Sequence, residues 1–376
     1  MRVRRYGSLE QLPESYGELL ADGARESFYY SLPWFQNIVA TAAETGDEVC
    51  FYGIERDREP ATPLALLVCR APLRRRKFVD ARSLAGFSTM FTTLFGIPFS
   101  SAVDDRRAVI RALVEAICSE RPRWEVMRLD ALDRESPVFD QLSEALKRSG
   151  MVVQHYKHFE NWYETTDGKT SEDYFNLRPS KLRNTIARKQ KKLTKSANWR
   201  FELITGGAEV EKGIAAYATV YEGSWKRPEP HPHFIPGLIR ACGAAGVLRL
   251  GILFVDETPA AAQFWIASNR RATIYKLAYD ENFARLSVGS ILTKKMMEHV
   301  IDVDRVREVD FGRGGDSYKQ DWMSCCRERW GIVAFNPRTV RGAMHAGYHL
   351  GRSRAKHALT ALTRRRPRSR TGDGTD

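Results

Sequence analysis

No apolar run in this 376-residue chain approaches the roughly 18 residues that a membrane-spanning helix needs. The longest candidate, residues 61–73, is shorter and reads as a strand. The first residues, Met-Arg-Val-Arg-Arg-Tyr, are basic but have no apolar segment behind them, which argues against a secretory signal. Cysteine is sparse. Cys50, Cys69, Cys118, Cys242, Cys325 and Cys326 show no framework spacing, and the adjacent pair Cys325-Cys326 has poor geometry for a bridge. These absences point to a reduced, cytoplasmic protein. No Ser-His-Asp or Cys-His arrangement can be assigned. His231 and His233 form a short pair with no third ligand in view. His345 and His349 stand four apart with no catalytic Glu between them, so no metal site is expected.

Acidic residues are missing from one long segment. Residues 178–200 hold nine Lys/Arg and no Asp or Glu, and residues 351–376 hold eight Lys/Arg against two Asp. The net charge of +13 is concentrated there, and the rest of the chain is close to neutral. Such a distribution argues for local anion contacts rather than a nucleic-acid-binding surface over the whole molecule. The 178–200 segment reads as a helix, with Leu182, Ile186 and Leu193 on one face. Its basic face is either simply solvated or an arm over a cleft that meets phosphates, a sugar nucleotide or tRNA. The terminal basic residues would suit an anionic membrane surface, which makes a peripheral contact with the inner membrane a second expectation.

Periodicity predicts a mixed α/β protein. Helices are expected at 34–44, 104–120, 137–148, 170–195, 209–225, 234–244 and 290–301, and a short one after Ser317. Strands are expected at 49–55, 63–73, 124–129, 151–159, 199–204, 247–255, 260–267, 272–279, 306–311 and 330–335. Residues 83–101 read as irregular. Each half shows several strands, then helix and strand, so two similar domains are expected: 1–165 and 166–340. A basic helix and a disordered tail are expected over 341–376.

The richest stretch runs from Thr273 to Trp322: strand, small-residue turn, helix, strand, Gly-rich turn. A tight turn at a helix N-terminus aims free N–H groups and the positive end of the helix dipole at an anion. Four motifs occur in order: Ser180-Lys-Leu-Arg-Asn-Thr-Ile-Ala-Arg-Lys-Gln-Lys-Lys-Leu, Glu222-Gly-Ser-Trp-Lys, Leu277-Ala-Tyr-Asp-Glu-Asn-Phe-Ala-Arg-Leu-Ser-Val-Gly-Ser-Ile-Leu, and Asp310-Phe-Gly-Arg-Gly-Gly-Asp-Ser-Tyr-Lys-Gln-Asp-Trp. Together they resemble the CelD-like (cellulose-biosynthesis type) branch of the GNAT acyltransferase superfamily, which is related to the Fem-type peptidyltransferases. The resemblance covers roughly residues 150–335.

It implies two tandem GNAT folds with mixed central sheets, and transfer of an acyl group from acyl-CoA, such as acetyl-CoA, to an amine. The donor's arm would lie along Tyr275, Lys276, Leu277 and Tyr279, with its phosphates at Ser287, Val288, Gly289 and Ser290. The superfamily's phosphate loop is richer in glycine than this one. Tyr318 is the expected general acid for the departing thiolate. Asp310, Glu222 and Asp280 are candidates for the base. Trp225, Trp265, Lys319 and Arg183, with Phe264 and Trp322, are candidates for binding the acceptor. The implied acceptor is an amino sugar or similar precursor of surface polysaccharide. The alternatives are a Fem-like transferase that uses aminoacyl-tRNA, and a non-catalytic GNAT-like binding component.

Overall fold

A computed structural model of the chain describes residues 1–57, 62–72 and 81–350. The first half runs β1 (Arg2–Tyr6), α1 (Tyr16–Glu26), α2 (Leu32–Ala42), β2 (Glu48–Arg56), β3 (Thr62–Ala71), β4 (Ser83–Gly86), α3 (Arg106–Ser119), β5 (Val126–Asp133), α4 (Pro137–Arg148) and β6 (Val152–Thr165). The second half runs α5 (Ser171–Asn176), α6 (Ser180–Ser196), β7 (Trp199–Ile204), α7 (Val210–Glu222), α8 (Phe234–Ala244), β8 (Leu248–Val255), β9 (Thr258–Ser268), β10 (Arg271–Tyr279), α9 (Val288–Asp302), β11 (Glu308–Asp310) and β12 (Cys325–Phe335). Residues 340–350 form a last helix, α10. The tail expected after it lies outside the described residues.

All twelve strands join one mixed sheet in the order β1-β2-β3-β4-β5-β12-β6-β11-β10-β9-β8-β7. The two halves exchange strands. β6, the last strand of the first half, pairs with β11, and β12, the last of the second, lies between β5 and β6. A boundary at 165/166 thus falls between α5 and a strand already committed to the other half.

Alternating side chains divide the core. Phe51 joins a cluster that spans both halves through α1, α2, α7 and α8, whereas Cys50, Tyr52 and Ile54 face α3 and α4. A third cluster holds α5, α6 and α9 against β8–β10. Two aromatic contacts tie the halves together. Phe91 stacks on Phe234 at 4.0 Å, and Trp34 meets the same ring edge-on at 6.0 Å.

Three local readings differ. The helix expected over 170–195 is two helices, because Pro179 has no N–H and forces the residue before it out of the helix. α1 carries its apolar residues as a stripe, Tyr16, Leu19, Leu20 and Gly23, that the sequence reading passed over. The stretch read as irregular contains β4, whose Ser-Leu-Ala-Gly has no β-branched residue to announce it. That short strand is the parallel partner of β5.

Candidate active site

β10 and β11 run parallel through only three residue pairs, Arg271–Glu308, Ala272–Val309 and Thr273–Asp310. Two features then part them. A bulge at Tyr275 shifts the register of β10 against β9 and bends the strand. On the other side Gly312 takes φ +57, and a Cβ there would lie 3.1 Å from the Ile274 carbonyl, so only glycine turns the chain away at that point. The Asp310 carboxylate pins the fork. It accepts from the Gly312 N–H (2.8 Å), Thr273 Oγ1 (3.2 Å) and Asn161 Nδ2 (3.3 Å), and it pairs with Arg327 (3.4 Å). Asn161 belongs to β6, so the exchanged strand sets the fork's geometry.

Beyond the fork no described strand pairs with the β11-facing edge of residues 275–279. A cavity of about 260 Å³ opens there. Its walls come from Tyr275, Lys276 and Leu277 on β10, from Phe311 to Lys319 after β11, from Lys226 after α7, and from Met90, Phe91 and Thr93 of the first half. Tyr275 Oη donates to the Phe91 carbonyl at 2.6 Å, which seats the first-half loop as a roof.

The cavity is predominantly basic. Lys276 pairs with Glu229 at 2.5 Å, and Glu229 also accepts from Tyr221 Oη at 3.0 Å. Burial, with Lys276 nearby, brings the Lys226 ammonium down to about 8. Lys319 is buried. It donates to the carbonyls of Arg313 (2.9 Å) and Gly314 (3.0 Å) and pairs with Asp316 (3.2 Å), so it clasps the Gly-rich turn. Tyr318 stands at the mouth, edge-on to Phe311 at 5.8 Å. Burial of its hydroxyl, and the Asp316 carboxylate, push it up to about 12.

β10 leads through a 3-10 turn, Glu281–Leu286, into α9. Its N-cap, Ser287, has φ +57 and makes no side-chain cap bond. An N-cap side chain normally reaches back from an extended backbone, which this left-handed conformation does not provide. The helix start is therefore left open to an anion. Gly289 packs on the Tyr279 ring, where a Cβ would approach to 3.1 Å, and Trp225 covers the other part of that ring at 4.5 Å.

The first half has the same fork, closed. β4 and β5 pair over Ser83–Val126 to Ala85–Arg128, and Phe95 fills the opening. Its N–H donates to the Ala131 carbonyl at 2.9 Å, and its ring leaves no room for a Cβ at Gly86. The helix that follows, α3, is capped by Asp105, whose carboxylate accepts from the Ala108 N–H at 3.0 Å. A carboxylate there already occupies the place of an anion. One fork is open and positive, the other plugged and acid-capped.

Of the residues named from sequence, Tyr275, Lys276, Leu277, Tyr318 and Lys319 line the cavity; Tyr279 and Ser287 to Ser290 follow at the end of β10. Asp310 is buried below the fork with its oxygens engaged, so it positions rather than faces a ligand. Glu222 is exposed at the end of α7 and does not line the cavity. Asp280 accepts from the Asn282 N–H at 2.8 Å and packs on Gly223. Trp265 and Phe264 are fully buried and Trp322 nearly so; all three are core rather than acceptor-pocket residues. Arg183 lies on α6 in a separate groove with Ile186, Lys191 and Lys294. Arg178, counted with the basic segment, is buried and paired with Glu164 at 2.9 Å. His231 faces Glu44, and His345 and His349 lie against Phe335.

The sequence reading missed Lys226, one residue past Trp225 in a motif already singled out, and Glu229 four residues past Trp225. Met90 and Phe91 gave no signal, because they reach the site from the other half of the chain.

Residues 180–320 match the family model described as acetyltransferase (GNAT) domain. No curated protein matches the chain. Among solved structures, FemX superposes with a TM-score of 0.58 at 10% identity, over 91% of this chain and 100% of FemX. A conserved protein of unknown function from Bacteroides thetaiotaomicron gives 0.52 at 11% identity, over 86% of this chain and 98% of that one. A tandem GNAT protein from the clavulanic acid biosynthesis pathway gives 0.48 at 10% identity, over 89% and 98%. For FemX and the Bacteroides protein the likeness is one of fold, and it extends over both halves. The family match falls in the second half, which holds the open fork.

Proposed function

We propose that this GNAT-domain acyltransferase moves an acyl group from acyl-CoA, bound in the fork of the second half, to the amine of an amino sugar or similar precursor of surface polysaccharide, in the cytoplasm. The observation that carries the donor site is the open β10/β11 fork ending at the uncapped start of α9. The residues present fit such a donor. The unpaired edge of residues 275–279 offers backbone groups to an amide-bearing arm, and the helix start suits its phosphates. Bound there, the donor supplies an acyl thioester; the protein supplies the proton transfers.

Tyr318, protonated up to about pH 12, holds the proton that a departing thiolate takes up. Neither Glu222 nor Asp280 lines the cavity, and Asp310 is fully engaged. Lys226 lines it, and with its proton lost at about pH 8 it is the side chain best suited to relieve the attacking amine of a proton. The CelD-like resemblance is what supports the polysaccharide acceptor. Calorimetric titration with acetyl-CoA and longer acyl-CoAs tests the donor. Failure of all of them to bind sinks the coenzyme A reading.

One observation favours a second reading, in which the donor is an aminoacyl-tRNA. α6 carries seven Lys/Arg and no acid, and Lys189 Nζ donates to the Arg285 carbonyl at 2.6 Å, which holds this helix beside the turn into α9. Polyanion binding of this kind weakens steeply with salt. Binding of aminoacyl-tRNA that is absent, or indifferent to salt, removes this reading. The third alternative, a non-catalytic shell, would be supported by a filled fork, and the fork of the second half is open.

A further inference from the structure

α6 turns a row of cations onto an apolar groove. The groove lies between α6 and α9 and encloses about 600 Å³, the scale of a small-molecule site. Phe175, Ile186 and Ala187 supply its apolar lining, and Arg183, Lys191 and Lys195 of α6 with Lys294 of α9 supply its charge. No carboxylate lines it. Residues 183, 187, 191 and 195 are spaced four apart, so they share one helix face about 18 Å long. Cations on other helices are matched by carboxylates: Arg107 by Glu144, Lys212 by Glu209 and Arg240 by Glu211. α6 holds no acid, and among the described residues no carboxylate pairs with Arg183, Lys191 or Lys195. Lys294 and Lys295 share the single carboxylate of Glu298.

We infer from this arrangement that the groove binds an amphiphilic anion: a hydrocarbon chain lying along Phe175, Ile186 and Ala187 and ending in a phosphate or carboxylate held by the cations. The argument is one of complementarity. The chain and the apolar lining gain by leaving water together, and the anion meets cations that have no other partner. A nucleic-acid backbone is a poorer occupant, because it answers the charges and leaves the apolar lining wet. A neutral lipid is poorer for the opposite reason. The groove shares no lining residue with the cavity at the fork, so binding here does not depend on acyl transfer.

The test is calorimetric titration of the full chain with monododecyl phosphate below its micelle concentration. Inorganic phosphate tests the anion alone and dodecyl maltoside the chain alone. The expected result is binding of the dodecyl phosphate at least about tenfold tighter than either control, and about tenfold weaker in Arg183→Gln/Lys191→Gln and in Ala187→Glu. These three side chains are exposed, so the variants keep their fold, as an unchanged melting temperature will show. Sedimentation with vesicles of phosphatidylcholine and phosphatidic acid, lost in the same variants, assigns the anion to a membrane lipid; dodecyl phosphate binding without sedimentation assigns it to a free amphiphile. No binding of dodecyl phosphate overturns the inference, as does equal binding by the parent and both variants. So does inorganic phosphate that binds as tightly. So does tRNA binding that the variants abolish while dodecyl phosphate binding persists.

Discussion

Placing a carboxylate at the start of α9 separates the donor-binding role of that turn from its structural role. In Ser287→Asp a new charge is placed at the N-cap position that Asp105 holds in α3, near the helix start but, at φ +57, without the cap bond. Aspartate tolerates the φ of +57 found at this position better than most residues. The isolated protein then gains about 0.3–1 kcal/mol from the helix dipole. A bound phosphate pays the opposite cost. Two unit charges about 5 Å apart at an effective dielectric near 20 repel by about 3 kcal/mol, roughly a hundredfold in Kd. The signature is thus a melting temperature that holds or rises together with a Kd for acetyl-CoA that rises about a hundredfold, read by calorimetry. Ser287→Asn, of the same shape but neutral, is expected to bind within a few-fold of the parent. A Ser287→Asp protein that binds acetyl-CoA as tightly as the parent refutes the reasoning, because the phosphates then lie elsewhere.

Tyr318→Phe keeps the edge-on contact with Phe311 and loses only the hydroxyl, so kcat is expected to fall roughly 10²- to 10⁴-fold with donor affinity unchanged; equal losses in kcat and affinity would assign Tyr318 to binding instead. Lys226 accepts a proton only when neutral, so the rate is expected to climb with pH to about 8 and then level off, with no descending limb from Tyr318 below about 12. Lys226→Gln should abolish that climb, and a profile that keeps it points to another base. Arg178→Met leaves the buried Glu164 carboxylate with only Lys169 at 3.4 Å and the Ser324 N–H at 2.9 Å, and is expected to cost about 3 kcal/mol in urea unfolding. Burial pushes Glu164 up, but the Ser324 bonds and Arg178 outweigh it and hold it below the usual carboxylate range. Its contribution is therefore present at neutral pH and disappears as pH falls through that lowered value, so the parent loses more stability on acidification than Arg178→Met does. Phe95→Ala should cost about 3–5 kcal/mol and leave acetyl-CoA binding unchanged, because the proposed donor site lies in the other fork.

The sequence carried the second half well. β10, the turn before α9 and the Gly-rich turn after β11 follow from local signals: alternation along the strand, small residues at a helix start, and glycines where φ turns positive. The motifs quoted for the family resemblance include Tyr318, Lys319 and Lys226, three of the cavity's side chains. What resisted reading was non-local. Trp265 and Lys319 look alike as polar or aromatic residues near a strand end, yet one hydrogen-bonds to Gln263 in the core and the other clasps the Gly-rich turn. Burial decides between such roles, and burial is a property of the neighbours.

By itself, then, the chain's sequence determined the mixed α/β class, most of the elements, and the order of strand, turn, helix and Gly-rich turn that builds the open fork in the second half. Those rest on periodicity and turn chemistry within a few residues. Only the tertiary structure decided that β6 and β12 change places, that Asn161 from the first half pins the fork, and that Met90 and Phe91 roof the cavity. It also decided that one fork is open while its twin is closed by Phe95 and Asp105. All but the Asp105 cap depend on contacts between residues far apart in the chain, and no local pattern of side chains encodes those.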